Sequence, residues 1–91
     1  MSGKGPKQTV FAALAEIAKA LGHAHRLELL EQLGQGGEQS VEDLATRSDL
    51  TFANTSRHLQ TLRRARLVDA RRHGKRVLYS LASYRRSASV A

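Results

Sequence analysis

The 91-residue chain has no cysteine and no tryptophan, a single proline, a single methionine, and only two Phe and two Tyr. Without cysteine it holds no disulfide, no zinc finger and no thiol chemistry of its own, and its redox compartment cannot be read. No apolar run approaches the ~18 residues that a membrane helix needs. The opening MSGKGPKQTV lacks the apolar stretch of a secretory signal. A cytoplasmic protein with no membrane partner is expected. The length allows one domain at most and one modest core, to which a dimer interface would add burial. A hydrophobic fraction of 41% keeps the chain out of the compositionally disordered class.

Negative charge is scarce in the second half. Residues 1–46 carry four Lys or Arg against six Asp or Glu, a net of −2, and residues 47–91 carry eleven against two, a net of +9. Such asymmetry points to a polyanionic partner, whether DNA, RNA or an anionic membrane. A well-solvated surface is the bland reading, and nine uncompensated charges on half of a small domain argue against it.

Residues 1–8 are rich in Gly, Pro and Lys and read as a disordered lead. Thr9 is a candidate N-cap for a first helix, whose stripe is Val10, Phe11, Leu14, Ile17, Ala18 and Leu21. Gly22 ends or bends it. A second helix follows in HAHRLELLEQLGQGG, with Leu27, Leu30 and Leu33 as its stripe, Leu29 widening it, and Gly34, Gly36 and Gly37 as its stop. In SVEDLATRS, Ser40 caps a short third helix and Asp43 stands three residues on, a capping-box variant. Its buried face is Val41, Leu44 and Ala45. Thr51 caps a fourth helix, expected over 51–66, with Phe52, Thr55, Leu59 and Leu62 inward. Beyond Leu67 the period shortens to about two, and LVDARR and RVLYSLA read as strands joined at Gly74. Residues 83–91 read as a tail or the start of a fifth helix.

Helix, helix, short helix, helix and hairpin make a mainly α fold with a small β-hairpin, a winged helix-turn-helix over 9–82. The DNA major groove, about 12 Å wide, admits one helix, which must present small and polar side chains to base edges. Ala53, Asn54, Ser56, Arg57 and Gln60 meet that need and are the candidates for base readout. Thr51 is placed to bond a phosphate while capping the helix. Arg64 joins it among the backbone contacts, whereas Arg63 and Arg66 lean toward the body and complement the helix dipole. Arg71, Arg72, His73, Lys75 and Arg76, at and beside the hairpin tip, are assigned to phosphates or a narrow minor groove.

Other chemistry finds little footing. The His23-x-His25 spacing alone is a weak metal signal and favours a structural or solvent role. His58 flanks the core stripe, where packing or a backbone hydrogen bond is the default. GQGG follows a helix rather than a strand and lacks the Lys-Ser/Thr of a phosphate-binding loop. The acids are scattered over helix faces. Neither enzymatic activity, a cofactor nor a bound metal is expected.

Over about residues 10–82 the chain resembles the ArsR/SmtB family of bacterial transcriptional repressors. The likeness rests on ALG-x-x-x-RL-x-LL in the second helix, S-x-x-x-L-x-x-L in the fourth, LV opening the wing, and R-x-G-K-x-x-x-Y-x-L across the hairpin. Ala24 stands where the family usually has Pro. The resemblance implies a homodimeric repressor on a dyad-symmetric operator, with Phe11, Leu14, Ile17 and Leu21 in the dimer interface alongside a fifth helix. It also implies an effector, often a metal, and here the chain departs from the pattern. SVEDLA lacks the third-helix Cys of thiol-type sensors, and SYRRSASVA lacks the His and acid ligands of the fifth-helix type, so the effector is unknown. The second helix and wing are also similar to a subgroup with a C-terminal rhodanese-like domain. Two other readings remain open: a nonspecific architectural nucleic-acid binder, and a winged helix used for protein–protein contact.

Overall fold

The computed structural model describes residues 5–83. The tail or fifth-helix start expected at 83–91 falls outside these residues from position 84 onward, as do residues 1–4 of the expected lead. The element order is α1 (Pro6–Leu21), α2 (Ala24–Gly36), β1 (Gln39–Ser40), α3 (Val41–Ser48), α4 (Phe52–Arg64), β2 (Val68–His73) and β3 (Arg76–Leu81). The winged helix-turn-helix is therefore formed.

The first helix starts three residues before the expected cap. Gly5 occupies the N-cap position and Pro6 the first turn, where proline's fixed φ suits a helix and its missing N–H costs nothing. Thr9 is inside the helix and donates its hydroxyl to the Gly5 carbonyl at 3.3 Å. Three of the eight residues read as a lead, 6–8, are thus helical.

In α2 the inward face is set by Leu29 and Leu33, both buried, whereas Leu27 is half exposed and Leu30 packs at the edge. Of the expected stripe Leu29, Leu30 and Leu33 pack inward and only Leu27 does not, because leucine recurs on several sides of this helix. Gly34 and Gly36 lie within it, and Gly37, at φ 73°, ends it. Both later caps are as expected. The Ser40 hydroxyl accepts from the Asp43 amide at 3.1 Å, and the Thr51 hydroxyl from the Asn54 amide at 3.0 Å. Val41, Leu44 and Ala45 are the buried face of α3.

The hairpin is a two-residue loop, Gly74–Lys75, between paired His73 and Arg76. Gly74 sits at φ 64°, as the first position of a type II′ turn requires. β1 adds a third strand antiparallel to β3, giving the sheet order β1-β3-β2 with Gln39 opposite Tyr79 and Ser40 opposite Leu78. Two residues are too few for a period to show in sequence. One core joins the layers: Ala20, Leu29, Leu33, Val41, Leu44, Leu59, Leu62, Val68 and Tyr79.

Candidate nucleic-acid interface

The fourth helix is divided sharply between inside and outside. Thr55, Leu59 and Leu62 are fully buried. Thr55 settles its hydroxyl by donating to the Thr51 carbonyl at 2.8 Å. Roughly opposite, at 100° per residue, Ala53, Arg57, Gln60 and Arg64 face solvent, with Asn54 exposed on one shoulder. Ser56 is half-buried and its hydroxyl accepts from Gln60 Nε2 at 3.2 Å, so these two candidates are held together. The Arg64 guanidinium donates to the Thr61 hydroxyl at 3.3 Å.

Phe52 departs from its expected inward place: its relative exposure is 55%. The helix turn puts it on a flank rather than on the buried side. Together with Ser56, Gln60 and Arg63 it lines a cleft of about 300 Å³ that Lys75, Val77 and Tyr79 bound on the wing side and Val41 and Glu42 bound on the α3 side.

The strand register separates the cations of the wing. Arg72 pairs with Val77, on the ribbon face that carries Ala70 and buried Tyr79. Arg71, opposite Leu78, and His73, opposite Arg76, lie on the other face. Arg72, His73, Lys75 and Arg76 are all exposed. Arg71 is held differently. Its Nε and Nη2 donate to the two carboxylate oxygens of Glu38 at 2.6 and 2.8 Å. This hydrogen-bonded pair raises the guanidinium pKa above its ordinary value and ties β2 to the α2–β1 connection. Glu38 was not singled out from sequence, because only the fold brings residues 33 apart into contact.

Behind the helix, three histidines and Arg26 meet where α1, α2 and α4 converge. His23 caps α2, its Nδ1 accepting from the His25 amide at 3.2 Å. The His23 and His58 rings lie 4.6 Å apart between centroids, and His25 and His58 lie 5.7 Å apart. Arg26 donates to the Ala20 and Lys19 carbonyls at 2.5 and 3.0 Å, satisfying the end of α1, and its Nη1 lies 3.4 Å from His58 Nδ1. Burial lowers the His58 pKa, and the neighbouring His23, Arg26, His25 and Arg57 lower it further. Among the described residues no group of three or more His, Cys, Asp or Glu is arranged to hold a metal ion.

On α1, Phe11 and Leu14 are 53% and 56% exposed, and Val10 54%. Ile17 and Leu21 are half-buried. Only Ala20 of this helix is buried, so most of its apolar stripe has no cover within the protomer. No helix among the described residues is long and apolar enough to cross a membrane.

Residues 21–71 match the model of a helix-turn-helix domain family. The chain is 38% identical over 76 residues to the HTH-type transcriptional regulator Rv0324 of Mycobacterium tuberculosis, a match covering 84% of this chain and 33% of that protein. It is 41% identical over 69 residues to the biofilm growth-associated repressor of Agrobacterium fabrum, covering 76% and 58% of the two chains. It thus spans about a third of the first relative's length and somewhat over half of the second's. The solution structure of the homodimeric winged helix-turn-helix DNA-binding domain Mb0332 of Mycobacterium bovis, described as a possible ArsR-family regulator, superposes with a TM-score of 0.82. That match has 34% identity and covers 98% of this chain and 82% of the other.

Proposed function

The chain belongs to the helix-turn-helix family, its relatives being winged-helix transcriptional regulators of the ArsR type rather than enzymes, and from that premise we propose that it is a cytoplasmic, sequence-specific repressor that binds a dyad-symmetric operator on double-stranded DNA as a homodimer. One observation carries the reading. The face of α4 turned away from the fully buried Thr55, Leu59 and Leu62 is exposed and made of Ala53, Arg57, Gln60 and Arg64. That face is slim enough to enter the major groove and carries the groups that discriminate bases there: Arg pairs bidentately with guanine, and Gln or Asn with adenine.

In this reading Asn54, Ser56, Arg57 and Gln60 read bases while Ala53 allows close approach. Thr51 and Arg64 bond the flanking phosphates. Arg72, His73, Lys75 and Arg76 hold the backbone or enter the minor groove. Arg71, paired with Glu38, has its charge largely compensated and adds less to the backbone contacts than these four. Phe11, Leu14, Ile17 and Leu21 form the α1 part of the dimer interface, which the homodimeric Mb0332 domain supports by likeness. Membership of the subgroup with a rhodanese-like domain is the narrower form of this proposal.

A titration of the chain against duplexes from the region upstream of its own gene tests the reading. Binding is expected to be tighter than to scrambled duplexes of equal length, with log affinity falling linearly against log salt. Equal affinity for scrambled duplexes at physiological salt would leave a nonspecific architectural binder. No affinity at low salt would leave a protein-contact module.

A further inference from the structure

Phe52 opens α4, and the apolar period of that helix assigns it to the core with Thr55, Leu59 and Leu62. Those three are fully buried, yet Phe52 is 55% exposed. Burying a phenyl ring is among the larger gains open to a small domain, and this ring forgoes it at the leading turn of the helix. It forms a flank with Ser56, Gln60 and Arg63, at steps of four, four and three residues, along the cleft facing Lys75 and Val77. The N-terminal turn of a groove-bound helix is the part that reaches base edges. A phenyl ring has no donor or acceptor with which to read them. The apolar group that the major-groove edges offer is the C5 methyl of thymine.

We infer that Phe52 is a specificity-determining residue that packs its exposed ring against the C5 methyl of a thymine, so that the chain selects a T·A pair beneath the first turn of α4. The inference rests on the DNA-binding reading above and deepens it. The Ser56–Gln60 hydrogen bond sets a polar reader beside the ring, so that one flank combines hydrogen-bond and methyl recognition. Water leaves both the ring and the methyl as they meet, which is the source of the preference.

The test uses the 91-residue chain to select duplexes from a random-sequence pool. Each thymine of a selected duplex is then replaced singly by uracil, which removes the methyl and leaves every hydrogen-bonding group in place. At one thymine of the site, or at its dyad mate, uracil should lower wild-type affinity about fourfold, the worth of one buried methyl-sized group. Phe52→Ala should bind the thymine duplex more weakly and show no difference between thymine and uracil at that position. Phe52→Leu should keep part of the difference. Because Phe52 is more exposed than covered, the circular dichroism of both variants should match wild type and their melting should fall only slightly. Wild-type affinity indifferent to uracil at every position would overturn the inference, and so would a Phe52→Ala variant that keeps the full methyl dependence. Failure to enrich any duplex would overturn the DNA-binding reading and this inference with it, whereas enrichment without methyl dependence would overturn this inference alone.

Discussion

Arg66 holds a left-handed backbone, φ 63°, directly after the recognition helix. The Leu67 amide reaches back to the Leu62 carbonyl at 3.0 Å and the Arg66 amide to Arg63 at 2.9 Å. These two bonds form the Schellman closure, whose left-handed position usually belongs to glycine. A side chain there costs about 1–2 kcal/mol, part of which glycine would lose again to its greater freedom when unfolded. Arg66→Gly should therefore stabilise the domain by about 0.5–1 kcal/mol, seen as a higher denaturant midpoint at unchanged slope. An unchanged midpoint would mean that the arginine recovers the cost in contacts of its own. His58 offers a second single-residue test. Its pKa lies below the ordinary 6.5, chiefly through burial and then through His23 and Arg26. Since the fold favours the neutral ring, the unfolded chain binds the proton first as pH falls. The stability due to neutral His58 is thus present above pH 6.5 and lost as pH drops through the lower folded value. Thermal melts at pH values on either side of 6.5 should show a drop in wild type that is smaller in His58→Gln. An equal drop in both proteins would place the acid sensitivity elsewhere.

Recognition helix and wing are separate elements with separate expected effects on DNA. Arg57 stands on the outward face of α4, and Arg72 on the wing face shared with Val77. A base contact discriminates between sequences, whereas a phosphate contact adds the same free energy to all of them. Arg57→Ala should cost about 1–3 kcal/mol on the selected site and much less on scrambled DNA, whereas Arg72→Ala should weaken both alike and lower the salt slope by about one. Competition titrations at matched salt read the difference. If Arg57→Ala weakened both duplexes equally, its assignment to base readout would be wrong. The legibility of each element in sequence followed the kind of signal it carries. Ser40 and Thr51 mark helix starts because an exposed amide needs a nearby side-chain acceptor, a requirement local to three residues. The hairpin is legible because Gly74 and the shortened period are local as well. Phe52 misled because apolar spacing defines a stripe without showing how far the neighbouring layer closes over it: α3 borders that flank through Val41 and Glu42, yet leaves Phe52 55% exposed. β1 and the Glu38–Arg71 pair were invisible, since each depends on a partner more than thirty residues away.

At the scale of the whole molecule, the two halves of the chain divide the work. The basic half carries the surface proposed to face DNA, and the net acidic half opens with α1, whose apolar residues find little cover within one protomer. Val10, Phe11 and Leu14 are each more than half exposed. Three such side chains in one stripe are an expensive surface to leave in water for a domain this small. Covering them with a second copy explains both the stripe and the pairing that a dyad-symmetric operator demands. Leu14→Glu would put a carboxylate into that contact twice, once from each protomer, and remove two leucine contacts worth about 1.5–3 kcal/mol apiece. Association should weaken about a hundredfold or more, read in sedimentation as a fall from twice the monomer mass toward the monomer. The variant should keep its melting cooperativity, because Leu14 contributes nothing to the core of its own protomer. Its DNA binding should change in a specific way: with one protomer bound rather than two, about half as many phosphates are neutralised, and the slope of log affinity against log salt should fall to about half. A Leu14→Glu protein that sediments as a dimer and keeps the wild-type slope would show that α1 is not the dimer face and that its exposed stripe serves another contact.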